Sequence, residues 1–291
     1  MKKLEDMNLM DDFLVSSLMN SREYGEKAVR YILGCILKRP LGKLTVVPQR
    51  VMCGESPEKH GIRLDVYIDE EGGEIIDIEP DQNDGKKDVQ AVPQRARFYH
   101  AKINSANLEV GKSYSCLRNV VIIFITTYDP LGLDRMVYTV RKSCVEAPEL
   151  SYDDGETTIY LYTRGTQGRS EEELKDLLRY MENSTEENAR TDSLKELHRM
   201  VRAVKSDGEV GISYMKSVEI EEKIREEGRE EGRKEGRKEG QEEGRKEGMA
   251  AGIDIMMQAI ECAKTRGYTT VDQLVQAGYD RKVAEAVIKC I

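Results

Sequence analysis

Of the eight carboxylates between positions 65 and 81, four fall where they could act together: Asp65, Asp77, Glu79 and Asp81. Asp65 falls in GIRLDVYI (61–68), whose alternation predicts a strand, and Glu79 closes a second predicted strand, EIIDIE (74–79). The DEEGG run between them (69–73) is a turn, so the two strands read as a hairpin. Such a hairpin brings Asp65 and Glu79 to the same end of a sheet, with Asp77 on the face of Glu79 and Asp81 just beyond Pro80. Carboxylates converging on one point can hold a magnesium ion, a hard cation that takes oxygen ligands and retains several waters. An ion held there activates a water and offsets the charge that builds on a phosphate during hydrolysis. The same spacing also describes solvated acidic residues at a hairpin end, and spacing does not choose between the two.

Downstream, residues 88–109 predict a helix that carries Arg95, Arg97 and Tyr99. Positions 95 and 99 share a helix face, whereas 97 points elsewhere. One reading is phosphate contact beside the carboxylates; the other is a helix that packs an aromatic and solvates its arginines. His100 reads as a packed or surface histidine, because nothing in the sequence supplies it with a partner.

The elements that must position these groups follow from periodicity. Residues 7–38 predict two helices with a break near Ser21–Gly25, and residues 43–53 predict a strand that Pro48 makes an edge or bulged one. NVVIIFIT (119–126) is apolar almost throughout, as suits a strand buried on both faces, and further strands are expected at 135–141 and 157–163. The result is an α/β domain with a mixed central sheet flanked by helices. Two more helices are expected at 170–183 and 185–206, the first opened by Ser170 and Glu173 as a capping box. We divide the chain into a domain at 1–168, a helical extension at 169–224, a repeat at 225–252 and a small helical unit at 253–291.

Composition narrows the function. The hydrophobic share of 39% is low and the charged share of 34% high, the excess charge lying towards the C-terminus. A formal net charge of −9 argues against broad coating of nucleic acid, but a metal-binding acidic site is itself negative and is not excluded by it. Six cysteines without CxxC spacing and three isolated histidines (His60, His100, His198) give no zinc site; free thiols suit a reducing, cytoplasmic compartment. No apolar run predicts a signal peptide or a membrane span.

The ordered blocks RLDVY (63–67), IIDIE (75–79) and RARFY (95–99) resemble the PD-(D/E)XK nuclease family transposases, also called recombination-promoting nucleases. The resemblance continues through NVVIIFITTYDPLGLDRMVYTV (119–140) and GETTIYLYTRGT (155–166), and includes Asp11, Asp12 and Phe13 near the start. It implies a restriction-endonuclease-like fold and magnesium-dependent cleavage of DNA, with Mn2+ as the alternative ion. Carried over by position, Asp65 becomes the first metal ligand and Glu79 the second. The family's next catalytic position is usually Lys or Gln, and here it is Asp81, which cannot donate a hydrogen bond while ionised. Asp81 is then a third metal ligand, with Gln82, Lys86 or Lys87 supplying the missing donor, or the site is inactive. Arg95, Arg97 and Tyr99 are the expected nucleic-acid contacts.

Beyond this region, Gly228, Gly232, Gly236, Gly240, Gly244, Gly248 and Gly252 recur every fourth residue among Arg, Lys and Glu. Glycine costs a helix about 1 kcal/mol relative to alanine, while the intervening charges can pair at i,i+3 and i,i+4. A flexible charged linker and a helix that crosses a second copy closely both fit this pattern. The leading expectation is therefore a metal-dependent DNA endonuclease that self-associates through its tail. The alternative is a catalytically silent nuclease-like protein acting as an oligomeric binding or scaffold module.

Overall fold

A computed structural model describes residues 2–54, 56, 58–82, 91–168 and 170–291. The chain divides into two compact units, Met1–Lys216 and Ser217–Ile291.

In the first unit, helices α1 (Asp12–Asn20) and α2 (Gly25–Leu37) precede strands β1 (Leu44–Met52), β2 (Ile62–Glu70) and β3 (Ile75–Asp81). Helix α3 (Val92–Asn107), strands β4 (Val120–Thr126), β5 (Val137–Val140) and β6 (Glu156–Tyr162), and helices α4 (Glu172–Glu182) and α5 (Asp192–Lys205) follow. The six strands form one sheet in the order β1-β2-β3-β4-β6-β5. β1, β2 and β3 run antiparallel, β3, β4 and β6 run parallel, and β5 returns antiparallel to β6. The expected mixed sheet is therefore present, as is the hairpin of β2 and β3, whose turn uses Gly72 at a φ of 70°.

The two faces of the sheet are covered differently. On one, α1, α2, α4 and α5 bury Leu14, Ile32, Leu177 and Val201 against Val66, Ile76, Ile78, Ile123 and Leu161. On the other, α3 lays Val92, Ala96 and Ile103 against Tyr67, Ile122, Phe124 and Tyr160. This double coverage explains β4, where all seven residues are buried, and its unbroken apolar sequence. Pro48 stands in β1, which is an edge strand, and the pairing with β2 skips Gln49, whose φ is 52°.

Two local expectations change. α4 begins after Glu171, with no side-chain cap, so Ser170 and Glu173 do not form a capping box. The repeat lies within one helix, α6 (Gly208–Arg266), which starts in the first unit and continues into the second. In the second unit, the end of α6 packs Ala259 and Ala263 with Leu274 of α7 (Val271–Gln276) and Ala284 and Val287 of α8 (Arg281–Cys290). There a capping box does form, between Thr270 and Gln273.

Because Leu177 and Leu178 of α4 and Leu197 and Val201 of α5 are 0% exposed, these helices belong to the same core as the sheet. Leu177→Ala is expected to lower the stability of the first unit by about 2–5 kcal/mol, read from the midpoint of denaturant unfolding. An unchanged midpoint would place α4 outside the cooperative core.

Candidate active site

The hairpin register places the carboxylates. Val66 stands opposite Ile78 and Tyr67 opposite Asp77, so the next position sets Asp65 against Glu79. The Asp65 N–H donates to Glu79 Oε1 at 2.9 Å. Ile76 and Ile78 enter the four-helix side; by strand alternation Asp77, Glu79 and Asp81 face α3. All three are almost wholly buried, Asp77 completely.

Burial pushes Asp65 up to about 7, helped by the negative charge of Asp12 at the start of α1, while Arg63 and Arg95 pull the other way. Burial likewise pushes Glu79 up to about 8, and Asp65 adds to it. Asp77 rises well above the ordinary carboxylate range through burial and the nearby Glu79. Neither Asp77 oxygen meets a hydrogen-bond donor among the described residues; once protonated, this carboxyl can itself donate to Glu79. The far end of the same hairpin shows the opposite case. Glu70 is equally buried, yet Arg39 binds it at 2.7 and 3.0 Å, the Gly42 N–H adds a bond at 2.7 Å, and its pKa falls to about 2. One end of β2 is thus a satisfied ion pair, and the other holds negative charge in excess.

Arg95 enters this excess from α3. Its Nη2 donates to Asp81 Oδ2 at 2.6 Å, and the Tyr128 hydroxyl donates to the same oxygen at 2.8 Å. The guanidinium lies 4.8 Å from the centre of the Phe124 ring. Burial opposes the Arg95 charge, but Asp81 outweighs it and the group is more basic than usual. Tyr99 lies one turn along the same face, its ring 6.2 Å from Phe124, and burial with the neighbouring Glu79 raises its phenol.

The structure therefore brings together Asp65, Asp77, Glu79, Asp81, Arg95 and Tyr99. Arg97 is exposed and stands apart from this group. Gln82 is exposed and its amide donates to Asp11 at 3.3 Å, towards α1. Lys86 and Lys87 lie outside the described residues. His100 is buried and bonds Thr158 Oγ1 at 2.9 Å, as a packed histidine does.

Hard oxygen donors, buried and short of positive charge, are the donor chemistry of a divalent cation, and the orphaned Asp77 oxygens fit it. Among the described residues, however, no three Asp, Glu, His or Cys side chains converge closely enough to enclose an ion. The expected third ligand accounts for part of this, since Asp81 is turned towards Arg95 and Tyr128.

Sequence reasoning gave no role to Asp12 or Tyr128. Asp12 stands at the start of α1, more than fifty residues before Asp65, and only the docking of that helix reveals its reach. Tyr128 left a weak signal, a polar aromatic directly after the buried β4.

A mixed sheet covered by helices on both faces, with carboxylates at the end of a β-hairpin, defines a restriction-endonuclease-like nuclease domain. The chain belongs to the PD-(D/E)XK nuclease family transposases, whose family model matches residues 10–206. No curated protein and no solved structure matches it. Membership supports a nuclease- or transposase-related role, and PD-(D/E)XK nucleases generally use divalent metals.

The raised carboxylates set a direction for stability. A carboxyl whose folded pKa exceeds its unfolded value of roughly 4 stabilises the fold below that value and loses the contribution as pH rises. With Asp65 at about 7 and Glu79 at about 8, the metal-free protein should lose stability between the ordinary carboxylate range and pH 8 or above. Asp77→Asn should relieve this, raising stability by about 1–3 kcal/mol at high pH and little at pH near 4. Thermal melts of both proteins across pH, with chelator present, check it; parallel pH profiles would refute it.

Proposed function

We propose that this protein is a divalent-metal-dependent DNA endonuclease related to transposition, with Mg2+ as its ion and Mn2+ as the alternative. The carrying observation is the placement of Asp65 and Glu79 as cross-strand neighbours on one face, both with raised pKa values. Asp65 and Glu79 would hold the cation, which when bound lowers the pKa of a water and offsets charge on the phosphate. Asp77 holds a proton behind Glu79 and limits the repulsion between the three carboxylates. Arg95 supplies the positive charge that a Lys in place of Asp81 would bring, and Asp81 and Tyr128 keep its guanidinium at the sheet end. Tyr99 bounds the same face and offers a hydroxyl to a phosphate or a water.

Plasmid DNA incubated with the protein and Mg2+ or Mn2+ should be cut. Glu79→Ala should abolish cleavage, and Arg95→Ala should slow it about 100-fold or more, as loss of one charge-stabilising donor does. One observation favours a second reading: Asp81 occupies the usual Lys or Gln position and is already engaged by Arg95. If the natural protein cuts nothing with either ion while Asp81→Lys or Asp81→Gln cuts, the protein is a silent nuclease-like module.

The tail is proposed to assemble copies of the chain. A methyl group added at any repeat glycine from Gly228 to Gly252 would meet no atom within 4 Å, so a glycine stripe is open to a second backbone. Charges of both signs alternate beside it, and Met249 at its last turn and Ile253, Met256 and Met257 just beyond are exposed. Exposed ion pairs contribute only about 0–1 kcal/mol each, so this apolar patch must supply most of the association. Light scattering should show an oligomer for the full chain and a monomer after deletion of residues 225–291. A monomeric full-length chain at micromolar concentration would remove the assembly role.

A further inference from the structure

Every residue of 219–258 in α6 is exposed, so this stretch of helix is left uncovered on all sides by its own chain. Its seven repeat glycines weaken an isolated helix, and ion pairs within the chain offset little of that. Among the described residues the stretch forms two, Arg225–Glu221 at 3.1 Å and Lys234–Glu230 at 3.7 Å. A long polar helix of this kind depends on support from outside itself.

The charges of the repeat are sorted by sign. Successive helical residues stand about 100° apart, so the residue after each glycine lies on one side of the glycine row and the residue before it on the other. One side carries Arg225, Arg229, Arg233, Arg237 and Arg245, with Gln241 as its uncharged member. The other carries Glu227, Glu231, Glu235, Glu239, Glu243 and Glu247 without exception. The fourth row, from 226 to 246, mixes Glu with Lys and faces away. Apart from Arg225, neither flanking column forms an ion pair among the described residues. The glycine row itself continues as Ile220 and Ile224 on one side of the repeat and Met256 on the other, all exposed. Its four-residue period is longer than the helical turn, so two such rows meet either at a crossing or through a right-handed winding. The columns flank the row in both cases.

We propose that one second copy of this chain packs on the glycine row of α6 in parallel and in register, its Arg column against the Glu column of the first. This rests on the reading that the tail assembles copies, and gives that assembly a direction. Two parallel helices face to face set the right side of one against the left side of the other, so Arg meets Glu along both margins. An antiparallel pair sets Arg against Arg and Glu against Glu. Each exposed pair is weak, so the columns select the direction by repelling the wrong one and leave the strength to the apolar ends. Those ends do not choose a direction, because an antiparallel pair centred on Gly240 brings Ile224 to Met256. In a parallel pair they fix the register, since only there do Ile220, Ile224 and Met256 each meet their own counterpart. The two Ser217 ends then lie together, with the first unit of each chain attached there, and one duplex can meet two carboxylate sites.

Cross-linking of the full-length chain tests the direction. In a background with Cys53, Cys116, Cys144, Cys262 and Cys290 replaced by Ser, Ile224→Cys and Met256→Cys are oxidised separately and as a mixture. Each alone should form a disulfide-linked dimer, and the mixture should add no linkage between the two variants. Linkage that appears only in the mixture means an antiparallel pair and overturns the proposal while leaving tail assembly intact; an oligomer that cross-links in neither arm overturns it as well. A natural chain that is monomeric by light scattering removes the assembly reading and this inference together. The columns are tested by sedimentation, which needs no cysteine. Glu231→Arg, Glu235→Arg and Glu239→Arg in one chain should weaken self-association about tenfold or more. Mixing with a chain carrying Arg229→Glu, Arg233→Glu and Arg237→Glu should restore it. Self-association unchanged by the swapped charges would show that the columns do not meet.

Discussion

Carboxylates buried beside one another repel, and each resists ionisation unless a cation, a proton or a donor accompanies it. Asp77 and Glu79 are placed in this way, with the half-buried Asp65 across from Glu79, by the pairing of β2 with β3 and by the apolar layers on either face. The neighbouring Arg95 is itself bonded to Asp81, so its charge is shared. Glu70, at the other end of the same hairpin and as buried as Glu79, shows that the fold can satisfy an acid when stability is the sole requirement. The contrast between the two ends of one strand locates the chemistry better than the carboxylates do alone.

Arg95 is held by three different forces, and each comes from a separate part of the chain. Asp81 at the end of β3 supplies charge, Tyr128 after β4 completes the bonding of that carboxylate, and Phe124 within β4 offers its ring. A guanidinium fixed so differs from a flexible lysine ammonium. It cannot lose its proton at ordinary pH, and its planar fork has fixed directions. An aspartate where the family usually carries Lys or Gln is thus accompanied by a cation from a neighbouring helix.

Much of the architecture was legible because the strands differ so clearly in pattern. The all-apolar β4 announced burial on both faces, Pro48 announced an edge, and the DEEGG turn fixed which carboxylates could meet. Asp65, Glu79, Arg95 and Tyr99 were found together because hairpin register and helix period are local rules. What escaped was non-local. Asp12 reaches the site through the docking of α1, and the Arg95–Asp81 pair depends on how α3 crosses the sheet, which no spacing records. The capping box read at Ser170 failed for a related reason: α4 starts after Glu171, and its placement is set by the burial of Leu174 and Leu177.

The outer strands bear on how the molecule behaves in company. An unpaired β-edge is a template on which another chain can add a strand. β1 carries a proline without an N–H and a residue at a φ of 52°, which breaks the row of donors and twists the backbone; β5 is four residues long. Neither margin offers a long flat template, so the sheet resists edge-to-edge growth and its polymerisation into fibrils is disfavoured. A chain with a strand as apolar as β4 needs such protection most while it is newly made, before α3 and α4 have covered the sheet.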